Sequence, residues 1–373
     1  MALDSAEPEP KRMKTSNKIE EKLDEYLKNM KSATWNLTPI VEEDLYKPIP
    51  VVQASVGVIR DPKDISKTIL TLNEKVPMKE LQHLKRAQKK EIVICPLSYL
   101  NGAKIEEYVE NNVKELKEVF EEFKVCDVPS RPPQVRKQFE ETNKVWPCNF
   151  HPNKYNEKLV SGSFYNEQEL KTHRQYMEMV FEVTKFYMKE LTATNIDSDK
   201  ILRNLNTCVV VDPSIQSVVA VCFDNRLKHP VQHSAMLAID NVAKTQNGGS
   251  WVADKEKLET IDSTLRGIDE ELCCHLKEKF PQVKFGAKKF KSKRDMSEEE
   301  MQGNDIGPYL CTGYYIYLLN EPCVMCSMGL VHARAKRVFF CFDNSEFGAL
   351  KSKLKLQTIT ALNHHFEAFT GFL

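Results

Sequence analysis

The sequence lacks any apolar stretch long enough to span a bilayer, and its first residues, MALDSAEPEPKRMK, hold no apolar core like that of a signal peptide. It also lacks an excess of either charge, with 53 Lys and Arg against 53 Asp and Glu. A polyanion-binding surface would therefore need segregated charge rather than overall excess. These absences predict an intracellular protein without a membrane partner. Its 11 cysteines are then expected as reduced thiols, in metal sites or in the core, rather than as disulfides.

The length of 373 residues predicts about two domains. Residues 1–18 mix Pro, Glu, Lys and Ser without apolar periodicity, which predicts a disordered tail. Lys11, Arg12 and Lys14 could form a weak nuclear-import cluster, but the favoured interpretation of these residues is a solvated tail. We expect the protein in both nucleus and cytoplasm. Residues 19–126 alternate strand-like and helix-like runs, which predicts a small α+β domain. The strand-like runs are VVQASVGVIR and EIVICPL, and the helix-like runs are ISKTILTLNEKV and VKELKEVFEEFK.

A proline-rich segment follows this domain. Residues 127–147 carry Pro129, Pro132, Pro133 and Pro147 and show little apolar periodicity, which predicts a linker. We therefore expect a second domain over residues 148–373.

The second domain has the pattern of an α/β sheet with crossover helices. A helix is predicted from Glu167 to about Lys189, with Asn166 as its N-cap. A polar stretch over about 245–307, rich in Lys, Glu and Asp, predicts a partly mobile insertion. The remaining runs give the order strand, strand, helix, strand, helix, strand. In chain order they are TCVVVD, SVVAVCF, HPVQHSAMLAIDNVAK, YLCTGYYIYLLN, PCVMCSMGLVHAR and RVFFCF.

Three residues have the chemistry of a hydrolytic zinc site, which commonly takes three protein ligands and leaves a fourth position for water. Cys323 and Cys326 lie at a predicted helix start, where unpaired N–H groups favour thiolates. His233 lies at the start of another predicted helix. With Pro322, the cysteines match the P-C-x-x-C half of the zinc-deaminase signature, and His233 matches the histidine of its H-x-E half. The predicted cofactor is zinc.

The signature departs at one position, because Ala235 stands where the general acid–base glutamate belongs. A methyl group cannot transfer protons, and losing that step costs about 10²–10⁴-fold in rate. We therefore predict a site that binds metal and contributes no catalytic residue. Two alternatives stay open. One is an active deaminase that uses Glu321 as a relocated base, and the other is a structural zinc module in a scaffold protein, with a closed fourth position.

Three segments resemble the accessory (third) subunits of the eukaryotic heterodimeric adenosine deaminases that act on tRNA. They run from His229 to Asp240, from Tyr309 to Phe340 and from Leu362 to Phe369, and the likeness covers most of residues 145–373. That family typically has Val at the glutamate position, where this sequence has Ala235. Since neither side chain transfers protons, the inference of an inactive site is unchanged.

The resemblance implies a three-layer cytidine-deaminase-like domain, with a central mixed sheet flanked by helices, preceded by a smaller α+β domain of ferredoxin-like, RNA-binding type. It also implies a glutamate-bearing catalytic partner that converts the wobble adenosine of tRNA to inosine. Because a folded tRNA is recognised over a long surface, several basic patches are expected to act together. The candidate RNA contacts are Lys85, Arg86, Lys89 and Lys90, then Arg131, Arg136 and Lys137, then Lys288, Lys289, Lys291, Lys293 and Arg294.

Overall fold

The computed structural model describes residues 21–31, 36–191, 205–251, 260–290 and 308–373. The chain divides into two compact units, which we call the N-terminal unit (residues 42–164) and the C-terminal unit (residues 21–41 and 165–373, within the described ranges). No helix in these ranges is long and apolar enough to cross a membrane. The predicted tail, with Lys11, Arg12 and Lys14, lies outside the described residues.

The N-terminal unit contains a four-stranded antiparallel sheet in the spatial order Ala87–Gln88 (β3), Glu91–Pro96 (β4), Val51–Ile59 (β2) and Phe120–Pro129 (β5). Along the chain, strands and helices alternate as β-α-β-β-α-β, and two further helices follow. The elements are β2 (Val51–Ile59), α2 (Ile65–Lys75), β3 (Ala87–Gln88), β4 (Glu91–Pro96), α3 (Ile105–Asn112), β5 (Phe120–Pro129), α4 (Arg136–Val145) and α5 (Lys154–Ser161).

Both faces of this sheet are covered, which explains why β4 is an almost continuous apolar run. Ile92 and Ile94 of β4 pack in one cluster with Leu72 of α2 and Val109 of α3. Val93, which points to the opposite face because side chains alternate along a strand, packs with Trp146 instead. The predicted α+β character of this segment is confirmed.

Two predictions for the N-terminal unit are wrong. The run VKELKEVFEEFK, expected as a helix, forms a single 3₁₀ turn at Lys114–Leu116 and then enters β5. Its Glu and Lys residues favour helix locally, but β5 pairs along its whole length with β2, from Ile59 opposite Phe120 to Val51 opposite Pro129. Pairing across the sheet overrides the local preference.

The predicted linker, residues 127–147, is also folded. Its first residues complete β5, and α4 occupies most of the remainder. Trp146 is buried and its indole N–H donates to the carbonyl of Lys85 at 2.7 Å. The prolines therefore end a strand and precede a helix within one unit, which continues to Phe164.

The C-terminal unit is built on a seven-stranded mixed sheet in the order β1-β11-β10-β9-β6-β7-β8. Strands β9, β10 and β11 are mutually parallel, and β6 is antiparallel to both of its neighbours. The elements are a helix over residues 21–31 (α1), β1 (Thr38–Pro39), α6 (Glu167–Leu191), β6 (Thr207–Asp212), β7 (Ser217–Phe223), α7 (Ser234–Thr245), α8 (Glu270–Lys279), β8 (Lys284–Phe285), β9 (Tyr315–Asn320), α9 (Val324–His332), β10 (Arg337–Phe342) and β11 (Glu367–Thr370).

Helices cover both faces of this sheet. On one face, Ile316 and Leu318 of β9 join a buried cluster that includes Ala238 of α7 and Leu330 of α9. On the other face, Tyr317 of β9 meets α6, since its hydroxyl lies 2.8 Å from Nδ1 of His173. Adjacent residues of one strand thus face opposite helix layers. The mixed α/β architecture expected for this part of the chain is confirmed.

The strong local signals of the C-terminal unit agree with the structure. All six strand and helix runs read from the sequence form the expected elements. Asn166 caps α6 as expected, because its side-chain oxygen accepts from the N–H of Glu169 at 2.9 Å. The Glu169 carboxylate accepts in return from the N–H of Asn166 at 2.8 Å, which completes a capping box.

Two boundaries differ from prediction. Residues 21–41 belong to the C-terminal unit, because β1 pairs with β11 at the sheet edge and Tyr26 packs against Phe342. The predicted insertion is partly regular structure, since α8 buries Leu272 and β8 pairs with β7. Residues 252–259 and 291–307 of that insertion lie outside the described residues.

Candidate metal centre

The three predicted metal donors are placed by the starts of two packed helices. His233 immediately precedes α7, and Cys323 immediately precedes α9. Cys326 lies in the first turn of α9 and is buried. Because α7 packs both on β7 and against α9, the two helix starts meet beyond the ends of their strands.

The donor atoms converge. One donor atom from each of His233, Cys323 and Cys326 lies within 4.8 Å of the others. Nδ1 of His233 is 3.6 Å from Sγ of Cys323 and 3.4 Å from Sγ of Cys326. Two thiolates and an imidazole are ligands that Zn²⁺ prefers, and three protein donors match a zinc site with one open position.

The two thiols do not ionise alike without a metal. The pKa of the Cys323 thiol is lowered to about 4, first because the Cys326 thiol hydrogen-bonds to its sulfur and further because His233 contacts it. The same shared proton, together with burial, raises the pKa of Cys326. One thiolate is therefore ready for a cation at neutral pH, and the second must release its proton when a metal binds.

The donors line a cavity of about 290 Å³, shared with Asn206, Arg226 and Phe347. Arg226 is held by Asp224, with Nε donating to Oδ1 at 2.8 Å. Asp224 is buried, so this cation is fixed beside the thiols. Sequence reasoning missed this pair. Its only signal is the Asp-x-Arg spacing between β7 and His233.

Ala235 occupies the second residue of α7 and is buried, with 1% exposure. It lies two residues after the donor His233, which is the position of the proton-transferring glutamate in the zinc-deaminase signature, and this chain has a methyl group there. No other carboxylate of the described residues lies in the donor cluster. The position expected for a general acid–base residue therefore has no titratable group.

Glu321, the candidate relocated base, is buried and fully engaged. Its carboxylate accepts from the backbone N–H groups of four residues, and from the Ser352 hydroxyl as well. The N–H donors are those of Asn344 at 3.0 Å, Leu350 at 2.9 Å, Lys351 at 2.5 Å and Ser352 at 2.9 Å. With these donors occupying its oxygens, the carboxylate has no ready site for accepting a proton from a reacting group.

The basic residues considered for RNA contact differ in exposure. The exposed ones are Lys85, Lys89, Lys90, Arg136, Lys137, Lys288 and Lys289, while Arg131 is half-buried. Lys288 also donates to the Ser214 hydroxyl at 2.8 Å. Lys291, Lys293 and Arg294 lie outside the described residues.

Arg86 is misplaced in that set, because its guanidinium is buried. It donates to the carbonyls of Val76 at 2.7 Å and Ile94 at 2.8 Å, and to the side chain of Asn73 at 2.6 Å. Burial lowers the pKa of Arg86 to about 10. The side chain ties the end of α2 to β4 and does not belong to an exposed basic surface.

Comparison with known proteins finds similar sequences. A family model described as the tRNA-specific adenosine deaminase TAD3 N-terminal domain matches residues 51–146. A Danio rerio protein named "Probable inactive tRNA-specific adenosine deaminase-like protein 3" is 27% identical over 386 residues, which cover 98% of this chain and 97% of the relative. The Homo sapiens protein of the same name is 29% identical over 358 residues, covering 91% and 90%. The Arabidopsis thaliana "tRNA-specific adenosine deaminase TAD3" is 24% identical over 417 residues, covering 92% and 97%.

Residues 51–146 match the TAD3 N-terminal domain model, and proteins named as TAD3 or as tRNA-specific adenosine deaminase-like protein 3 from several eukaryotes are similar to this chain over more than nine-tenths of its length. The family match includes residues 127–146 of the segment predicted as a linker, which agrees with the folded structure of that segment. The relatives from Danio rerio and Homo sapiens carry "probable inactive" in their names.

Proposed function

We propose that this chain is the non-catalytic, zinc-binding subunit of a heterodimeric tRNA adenosine deaminase that converts wobble adenosine to inosine. The observation that carries the proposal is the pairing of a convergent donor set with a missing proton carrier. His233, Cys323 and Cys326 come together, while Ala235 stands at the acid–base position. A glutamate-bearing partner subunit would supply the chemistry.

Zinc suits the donors in this chain. When bound, the metal would act as a Lewis acid toward a water in its open position. His233 and the two thiolates would hold it, and Arg226 would partly balance the negative charge of the thiolates across the cavity. No residue of the donor cluster can carry a proton away, which is why turnover is assigned to the partner.

The two alternative functions are less well supported. A relocated base at Glu321 is disfavoured because its carboxylate is already occupied by the five donors described above. A closed structural zinc site is disfavoured because the three donors line a cavity and the described residues offer no fourth donor within the cluster.

The fold supports the same assignment. The β-α-β-β-α-β order of the N-terminal unit and its strand order suit a ferredoxin-like RNA-binding domain. The mixed sheet between two helix layers suits a cytidine-deaminase-like domain. We propose both fold assignments, together with residence in nucleus and cytoplasm. Imaging of a fluorescent fusion would test the localisation, and exclusion from either compartment would refute it.

The decisive experiment measures inosine in a tRNA with adenosine at the wobble position. This chain, a glutamate-bearing partner subunit, and the two co-expressed are assayed in parallel. Activity in the co-expressed pair only, with this chain alone inactive, is the expected result. Activity of this chain alone would contradict the proposal, and its disappearance in an E321Q variant that still binds zinc as tightly as wild type would support the relocated-base alternative.

Binding of tRNA is proposed for the exposed lysines of the segment 85–90. The triple variant K85E/K89E/K90E should weaken tRNA binding and flatten the dependence of log affinity on log salt, by roughly one slope unit for each phosphate that is no longer neutralised. The matched control, K63E/K67E/K104E, changes net charge equally at other exposed lysines of the same unit. Equal effects of the two triples would show that only total charge matters.

A further inference from the structure

The buried carboxylate of Glu321 accepts five hydrogen bonds, which is more than its two oxygens need to be satisfied in the core. All come from one segment, residues 343–352, which we call the anchored loop. Its two oxygens receive backbone N–H groups from residues at both ends of that loop, at Asn344 and at Leu350 to Ser352. The hydroxyl of Ser352 adds a further donor. One side chain thus fixes the path of the whole loop.

The anchored loop in turn hydrogen-bonds to the backbone next to a metal donor. The N–H of Ala349 donates to the carbonyl of Pro322 at 3.0 Å. Gly348 forms an antiparallel bridge with Cys323. The loop also contributes Asn344 and Phe347 to the wall of the cavity that holds the donors. Fixing the loop therefore fixes the peptide that carries the Cys323 sulfur.

The fit between the loop and the carboxylate is close. A Cβ atom added at Gly348 would lie 2.1 Å from Oε2 of Glu321 and 2.6 Å from the carbonyl oxygen of Asn344. Side chains larger than hydrogen are excluded there unless the loop moves. The close approach of backbone and carboxylate means that both are held in one arrangement.

We propose that Glu321 is a positioning residue for the metal donor Cys323, acting through the anchored loop. A carboxylate offers two acceptor oxygens to the four N–H groups and the hydroxyl, whereas an amide has a single acceptor oxygen and two N–H donors of its own. The inference rests on the proposed zinc binding. It assigns to Glu321 a role distinct from the proton transfer considered above.

The test compares E321Q with wild type in the full chain. Zinc affinity is measured by competition with a chromophoric chelator, and Co²⁺ is bound in a parallel sample for its absorption spectrum. We expect E321Q to bind zinc about tenfold or more weakly, in line with the loss of other partners that orient metal ligands. Its Co²⁺ spectrum should show a changed ligand geometry, and hydrogen exchange should increase within residues 343–352.

Two further variants keep the test decisive. E367Q removes a half-buried carboxylate of β11 that is paired with Arg337 of β10, and it should leave zinc affinity within twofold of wild type. S352A removes one donor only and should weaken zinc binding by about two- to fivefold, a milder effect that remains measurable if E321Q does not fold.

The outcomes separate this inference from the proposed function. If wild type binds no zinc, the metal-binding part of the proposed function fails. If wild type binds zinc and both E321Q and S352A bind it equally well with an unchanged Co²⁺ spectrum, the positioning role of Glu321 is refuted while zinc binding stands. If E367Q weakened zinc binding as much as E321Q does, the effect of E321Q would reflect a general loss of stability and not the positioning of Cys323.

Discussion

His173 makes the stability of the C-terminal unit sensitive to acid. The imidazole is 5% exposed, lies on the buried face of α6 and contacts the rings of Tyr165 and Phe339. Its Nδ1 is 2.8 Å from the hydroxyl of Tyr317. Burial, and secondarily the charge of nearby Arg337, lower the pKa of His173 to about 3.

The sign of the effect follows from linkage. The folded chain keeps His173 neutral, whereas the unfolded chain takes up a proton below its ordinary pKa of about 6.5. The contribution of His173 to the free energy of unfolding is therefore fully present above that value. It is lost as the pH falls from about 6.5 toward 3. At two pH units below the unfolded value, the loss amounts to about 2.7 kcal/mol, from 1.36 kcal/mol for each unit.

The assay compares wild type and H173F in urea unfolding at pH 7.5 and pH 4.5. H173F cannot titrate, and its cost from the orphaned Tyr317 hydroxyl is the same at both pH values. Between pH 7.5 and pH 4.5, the free energy of unfolding of the wild type should fall by about 2.7 kcal/mol more than that of H173F. Y176F, a non-titrating change on the same helix, should behave as wild type. Because other groups titrate alike in all three chains, equal pH dependence of wild type and H173F would refute the reasoning.

Three further predictions concern single residues of the two units. R86M should lower the stability of the N-terminal unit by roughly 3 kcal/mol, because buried carbonyls lose their donors, and unfolding followed by Trp146 fluorescence measures it. N166A should cost about 1 kcal/mol through the lost cap of α6, and restoration by N166D, measured by thermal unfolding, would confirm the cause. H233A should abolish the binding of one zinc equivalent by the full chain, which metal analysis after dialysis tests; retention of the metal would place it elsewhere.

The C-terminal unit is more predictable from sequence than the N-terminal unit, for a physical reason. The runs that become β6, β7, β9 and β10 are apolar on both faces, since helices cover both, and this pattern survives without knowledge of the partners. In contrast, β5 is rich in Glu and Lys and becomes a strand only by pairing with β2. The local propensity of a segment for helix or strand cannot indicate a pairing strand that lies about sixty or more residues earlier in the sequence.

The residues of the site also differ in how well the sequence predicts their roles. His233, Cys323 and Cys326 are predictable because metal chemistry restricts the residue types and their local spacing. The role of Glu321 is not, because its partners lie in a loop that begins more than twenty residues later and donate through the backbone. Arg86 is misjudged from sequence for a related reason. A basic residue in a charged run looks exposed until the carbonyl groups that surround it are known.

A metal at the three donors would have a structural effect even without a proton carrier. A metal held by His233, Cys323 and Cys326 would join the start of α7 to the start of α9. Through the peptide of Pro322 and Cys323 it would also join the anchored loop, whose path Glu321 fixes. These connections do not depend on the side chain at position 235. A metal would make them whether or not that residue can transfer protons, whereas replacing His233, Cys323 or Cys326 would remove one of the three donors that make them.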